Sequence, residues 1–261
     1  MTPQQQRLII VIPVYQATLK PEEQAALANN LHRLAAWPAV FIKPEGLDIS
    51  TLRQQFPQVD ELSVSGEWLG TRRGIAGYNE MMMSPDFYAL FLRYEYMLIC
   101  HVDAWVFRDD LDRFLRLGLD HIAAPWPMRP RYGRFPLKQY LQLKLWLKPR
   151  RRILHCQMFG RVGNGGFSLR RVSAFHDACL RHAEEIAFFN AKQHPLYNED
   201  LFWALVPTEL KVADVPLALT FSFDLKPRLC YQLNAEQLPM ACHGFNKPMR
   251  TAFWRPFIKA L

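Results

Sequence analysis

The sequence predicts an α/β fold, a mixed and mostly parallel central sheet flanked by helices. Arg7-Leu8-Ile9-Ile10-Val11-Ile12-Pro13-Val14-Tyr15 is a fully apolar strand. A helical pattern and a second apolar strand follow, the βαβ rhythm of a nucleotide-binding half-domain. Tyr96 to Phe107 is a longer run of apolar and β-branched residues that reads as a buried central strand. Strands covered on both faces by crossover helices carry such continuous apolar runs, whereas half-solvated strands alternate. No glycine-rich loop follows the first strand: Pro13-Val14-Tyr15-Gln16 stands there. That counts against a dinucleotide dehydrogenase and a P-loop NTPase.

In chain order, Pro21-Glu22-Glu23 places a proline and two acids in a first helical turn, with Leu27, Leu31 and Leu34 at helical spacing. Ala39 to Ile42 is a second strand and Glu61 to Val64 a weaker third. Gly70 to Asn79 holds Arg72, Arg73 and Asn79 among three glycines, either a phosphate-facing loop or a solvated loop before a helix. Met81 to Met83, Phe87, Tyr88 and Phe91 are expected in the core. The central strand ends on a lone carboxylate, Asp103. Ligands collect outside the carboxyl ends of strands in open α/β sheets, so Asp103 marks a site or caps the segment that follows. Asp109 and Asp110 read as caps of the next helix.

His121 to Trp126 is another short strand. Arg161 to Arg170 contains Gly163-Asn164-Gly165-Gly166, a glycine-rich turn that lets backbone approach a ligand closely. A helix is expected from Arg170 to about Asn190. Asn198-Glu199-Asp200 sits at the start of a further helix, where capping competes with chemistry for both acids. The tail ends with His243-Gly244-Phe245-Asn246-Lys247-Pro248. A lone histidine is more often structural than a ligand.

Composition bounds the partners. The 261 residues include 50% hydrophobic and 13% aromatic ones, which excludes disorder. Five scattered cysteines without a Cys-x-x-Cys pair suit reduced thiols in a cytoplasmic protein, and no signal peptide is visible. No run reaches the roughly 18 apolar residues of a membrane span. The net charge of +8 is local: residues 129–152 hold nine of the 32 basic residues and no acid, leaving 23 against 24 acids elsewhere. A nucleic-acid partner is therefore not expected. Within this segment Leu137, Tyr140, Leu141, Leu143, Leu145, Trp146 and Leu147 interleave with lysines. Such a helix suits an anionic membrane surface or acceptor, or else covers the core with snorkelling lysines.

The set of a strand-terminal Asp103, Gly163-Asn164-Gly165-Gly166-Phe167-Ser168-Leu169-Arg170, Asn198-Glu199-Asp200 and the late His243-Gly-x-x-Lys247-Pro248 resembles GT-A-type glycosyltransferases. It is most similar to an uncharacterised, domain-of-unknown-function family of bacterial and fungal glycosyltransferase-like proteins. The resemblance spans roughly Leu8 to Lys247, the basic segment excepted. It implies a GT-A-like, Rossmann-like fold forming one domain over residues 1–261, with a nucleotide-binding lobe (7–128), a basic amphipathic insert (129–160) and an acceptor and catalytic lobe (161–261).

The resemblance also implies roles. Asp103 and His243 would hold a divalent cation, Mn²⁺ or Mg²⁺, although the family's Asp-x-Asp reads His101-Val102-Asp103 here and keeps only its last carboxylate. Pro13, Val14, Tyr15, Arg72, Arg73, Asn79, Ala104, Gly165, Gly166 and Lys247 would line the nucleotide-sugar donor, a UDP-sugar above others. Asn164, Phe167 and Trp203 would meet a glycan or glycolipid acceptor. Asp200 would be the base of an inverting transfer with Glu199 helping to hold the acceptor, while the His-Gly-x-x-Lys-Pro motif also resembles retaining enzymes. The expected setting is surface-polysaccharide or lipopolysaccharide synthesis, cytoplasmic or peripheral at the inner membrane face. The degraded motif also fits a non-catalytic scaffold.

Overall fold

The computed structural model describes residues 7–70, 72–148, 152–192 and 194–261. Arg150 and Arg151 of the basic segment lie outside the described residues. In chain order the elements are β1 (Leu8–Pro13), α1 (Pro21–Arg33), β2 (Ala39–Pro44), α2 (Ser50–Gln55), β3 (Asp60–Val64), α3 (Ile75–Met82), α4 (Pro85–Ala89), β4 (Tyr96–Cys100), β5 (Ala104–Val106) and α5 (Leu111–Leu115). Then come β6 (His121–Pro125), a 3-10 turn (Pro130–Gly133), α6 (Leu137–Trp146), a second 3-10 turn (His155–Met158), β7 (Val162–Arg171), α7 (Val172–Arg181), α8 (Ala183–Asn190) and α9 (Glu199–Leu205). The chain ends with α10 (Val215–Phe221), β8 (Ser222–Phe223), α11 (Pro227–Leu233), β9 (Ala241–His243) and α12 (Pro248–Trp254).

Six strands form the main sheet in the order β3-β2-β1-β4-β7-β6. β3, β2, β1 and β4 are mutually parallel, and β7 runs antiparallel to β4 and β6. Alternation along each strand divides the core in two. Leu8, Ile10 and Ile12 pack with Tyr96 and Leu98 on one face; Ile9 and Val11 pack with Met97 and Ile99 on the other. Both faces are covered, which is why β1 is apolar throughout. The edge strand β3 opens on exposed Asp60 and Glu61, charges that discourage edge-to-edge pairing. β1 and β4 pair in parallel, Val11 beside Ile99, so the loops after them emerge side by side.

The predicted single strand Tyr96–Phe107 is in fact two. β4 ends at Cys100, the chain turns with Ala104 N donating to His101 O at 3.0 Å, and β5 joins a separate sheet, β5-β9-β8. Buried Asn30 of α1 holds β5 in place: its amide donates to Ala104 O and its carbonyl accepts from Val106 N, each at 2.8 Å. The glycine-rich "turn" at Gly163–Gly166 is likewise part of a continuous strand, β7. Ala123 pairs with Ser168 but the next residue, Ala124, pairs with Asn164, so the glycines bulge from the β6 ladder while Phe167 still pairs with Cys100. The expected helix 170–190 is broken into α7 and α8.

Met81, Met82, Met83, Phe87, Tyr88 and Phe91 lie in the core. Asp109 caps α5, accepting from Leu111 N at 3.0 Å, and also from Trp37 Nε1; Asp110 pairs with Arg108. All five cysteines are free thiols. Within the basic segment Leu137–Trp146 form α6, which does not cover the core: none of the helix's residues is buried. Leu137, Leu141 and Leu145 line one half-buried stripe, while Tyr140, Leu143, Trp146 and Leu147 face outward, Trp146 being 80% exposed. No helix among the described residues is long and apolar enough to cross a membrane.

Candidate active site

The small sheet assembles the first half of the site. In β5 and β9, Ala104 pairs with His243, and Gly244 N donates to Asp103 O at 2.9 Å. His243 Nε2 thereby lies 3.1 Å from Asp103 Oδ1, and Lys247 Nζ 3.1 Å from Asp103 Oδ2. The other ring nitrogen, His243 Nδ1, is 3.3 Å from Asp224 Oδ1, an ion-pair distance without hydrogen-bond alignment. Asp224 also takes Arg250 and the amide of Asn164, the latter at 2.5 Å. Gly166 must be glycine here: a Cβ would enter the His243 ring.

His101, Asp103 and His243 each offer a ligand atom, all within 4.8 Å of one another. Sequence reasoning counted His101 as a lost carboxylate; the histidine itself is a donor. Its ring is fixed by Tyr78 OH at 2.8 Å from Nε2. Burial, and then neighbouring His243, hold the His101 imidazole down at about 4, so it is neutral at physiological pH. Burial opposes a charge on His243, but Asp103 and Asp224 overcome it and raise that imidazole to about 10. Burial likewise opposes ionisation of Asp103, and His243 nonetheless holds its carboxyl well below the usual range. A neutral imidazole, an ionised carboxylate and a second imidazole that deprotonates to bind suit a divalent transition ion better than Mg²⁺, which prefers all-oxygen shells.

A cavity beside this group is lined by Pro13, Val14, Tyr15, Val102, Asp103 and Lys247, so the end of β1 and the β4–β5 turn meet as expected. Burial and nearby Asp103 raise the Tyr15 hydroxyl's pKa. Arg72 and Arg73 do not join the site. They pair with Glu67 at 2.8 Å and Glu80 at 2.6 Å, because each finds a carboxylate within its own loop and helix.

The second half lies across β7. Arg170, fully buried, donates to Glu199 Oε2 at 3.0 Å, to Tyr88 OH at 2.9 Å and to Ser168 Oγ at 3.1 Å. Such a cation is tolerated only because its donors are matched; an unpaired one costs several kcal/mol. Asp200 Oδ1 accepts from Gly165 N at 2.6 Å, and a Cβ on Gly165 would strike Glu199. Asn198, accepting from Leu201 N at 2.9 Å, is the cap of α9, so neither acid serves as one. Asn79 Oδ1 accepts from Glu199 N at 3.4 Å, a structural bond and not a donor contact. Burial, then the Glu199 carboxylate, push the Asp200 carboxyl well above its ordinary value.

Three expected roles change with this geometry. Glu199 is 3% exposed and committed to Arg170, so it positions its surroundings and does not hold an acceptor. Trp203 is 1% exposed, its indole N–H donating to Met82 O at 3.2 Å: it is core, as the inward face of a helix packed on the sheet requires. Phe167 is fully buried against Phe221, because β7 alternation turns it inward. Arg170 stood in the sequence only as the last residue of the glycine-rich motif, with no role of its own. A charge inside an apolar strand upstream of an acidic pair was the available signal.

The structure is similar to mouse xyloside xylosyltransferase 1, with a TM-score of 0.55 at 11% identity over 93% of this chain and 98% of that one. It is similar to the glycosyltransferase GlyE of Streptococcus pneumoniae TIGR4, at TM-score 0.53 and 14% identity, over 95% of this chain and 59% of that one. It also resembles the galactosyltransferase LgtC in complex with donor and acceptor sugar analogs, at TM-score 0.54 and 12% identity, over 90% and 86%. At these identities the likeness establishes the fold. No curated protein matches the chain in sequence. Residues 63–243 match a family model described as "Protein of unknown function (DUF5672)", and the chain, built on the GT-A glycosyltransferase fold, belongs to that family.

Proposed function

We propose that the protein is a metal-dependent glycosyltransferase that moves a sugar from a nucleotide-sugar, a UDP-sugar above others, to a hydroxyl of a glycan or glycolipid. One observation carries this reading: His243 and Lys247 meet opposite oxygens of Asp103 at 3.1 Å, beside the β1 end. His101, Asp103 and His243 would hold the ion and Lys247 the diphosphate. The ion would supply neutralisation of the leaving diphosphate's charge. Asp200 takes the proton of the acceptor hydroxyl as its oxygen bonds to the anomeric carbon and the bond from that carbon to the diphosphate breaks, an inverting displacement. Of the residues expected to meet the acceptor, Asn164 is retained in this role, held by Asp224 beside His243.

His243 and Lys247 already meet both oxygens of Asp103, which favours a second reading, a scaffold whose site is neutralised internally. Thermal melting with UDP and MnCl₂ separates the two. A transferase gains about 2.7 kcal/mol of stability at a hundredfold excess over Kd, and a scaffold gains none. We further infer that the outward face of α6, flanked by the exposed Lys138, Lys144 and Lys148, rests on an anionic membrane surface, as suits surface-polysaccharide synthesis at the inner face.

A further inference from the structure

Lys247 lines two cavities. One is the small pocket at the end of β1. The other is a cleft of about 1050 Å³ walled by the first 3-10 turn, α11 and α12. Arg129, Arg131, Lys226, Arg228, Lys247 and Arg250 line this cleft, and no carboxylate does. Lys247 and Arg250 are matched by Asp103 and Asp224 at its inner end. Among the described residues, Arg129, Arg131, Lys226 and Arg228 have no carboxylate partner. Arg131 rests on the Tyr132 ring and Lys226 over the Phe159 ring with its ammonium 3.3 Å from Pro127 O, contacts that orient the cations without neutralising them.

Like charges carried by three separate elements into one concavity repel each other. Lys226 also takes the left-handed backbone region, φ 55°, which a lysine seldom adopts. Burial, and after it Arg129, lower its ammonium's pKa. The remaining wall is apolar, with Leu225, Leu229, Phe253 and a Met249 side chain that is 98% exposed.

We propose that this cleft binds a phosphate ester carried by the acceptor, so that the substrate glycosylated at the adjacent site is a phosphorylated saccharide or lipid. The proposal rests on the transferase reading for the word acceptor, but the phosphate site stands on the cleft alone. Arginines present paired donors that match phosphate oxygens, and apolar walls accommodate the ring or chain attached to it.

Calorimetric titration of the whole chain with glucose 6-phosphate, glucose and monomeric dioctanoyl phosphatidic acid, at low and high salt, tests this. At least one phosphorylated probe should bind where glucose does not. Arg131→Ala and Arg228→Ala, both at exposed positions, should each weaken it about tenfold, and salt should weaken it further. Preference for glucose 6-phosphate identifies a soluble phosphorylated saccharide, and preference for phosphatidic acid a lipid phosphate. Failure of both phosphorylated probes to bind more tightly than glucose, or unchanged affinity for both when Arg131→Ala and Arg228→Ala are combined, overturns the proposal. Melting with UDP and MnCl₂ keeps the two readings apart. Phosphate binding without a UDP response sinks the transferase and leaves the cleft; a UDP response without phosphate binding does the reverse.

Discussion

Nε2 of His243 lies 3.1 Å from Oδ1 of Asp103, although most of the chain separates them. The contact follows from one strand pair, β5 with β9, and from Asn30 stitching β5 onto α1. A glycosyltransferase reading made from sequence motifs needed these two side chains to converge. They do, and a third donor, His101, stands with them.

Removing a member of this trio should weaken or remove metal-dependent nucleotide binding. Asp103→Ala should abolish the melting shift produced by UDP with MnCl₂, and His101→Ala should weaken it. MnCl₂ should support the shift better than MgCl₂, given two imidazole donors. A full shift in Asp103→Ala, or a preference for Mg²⁺, would contradict the assignment.

Asp200→Asn should leave that melting shift intact and lower transfer by roughly 10²–10⁴-fold, the usual worth of a positioned base. Turnover of a nucleotide-sugar panel, followed by release of the nucleoside diphosphate, is the measurement. Wild-type turnover would remove Asp200 from the mechanism.

The raised pKa of Asp200 gives the pH dependence a sign. The base must be ionised, so transfer should fall as pH drops through a value above the ordinary carboxylate range. Glu199→Gln removes the like charge and leaves Arg170 nearby, so the midpoint should move to lower pH. The same change unpairs buried Arg170 and should cost about 3–5 kcal/mol of stability, read by urea denaturation. A midpoint unmoved or shifted upward would show that Glu199 does not tune Asp200.

Gly166→Ala should displace the His243 ring, since the new methyl has no other space. The expected result is a folded protein, by circular dichroism, whose UDP and MnCl₂ response is lost. Retention of that response would mean the strand yields and the histidine does not.

Trp146→Glu and Leu143→Glu, both on the outward face of α6, should abolish co-sedimentation with phosphatidylglycerol vesicles and leave the melting temperature unchanged. Wild-type binding that ignores lipid charge and salt would remove the electrostatic membrane reading.

By itself the sequence determined the sheet class and the extent of β1, because strands buried on both faces must be apolar, while the break between β4 and β5 at Cys100 escaped it. The order of short motifs also singled out Asp103, His243 and Lys247, which the fold brings together, His243 and Lys247 each 3.1 Å from Asp103. Tertiary structure alone decided what each neighbour does. The family resemblance assigns Trp203 and Phe167 to the acceptor, yet helix and strand periodicity turn them into the core. Gly165 and Gly166 read as backbone left open for a ligand, yet a Cβ there would collide with Glu199 and His243. Arg72 and Arg73 read as phosphate donors, yet nearer carboxylates claim them. The cleft's cations come from segments far apart in the chain, so their convergence exists only once α11, α12 and the first 3-10 turn have packed together. Local residue type fixes which chemistry is available, and long-range packing fixes which atoms come within reach of it.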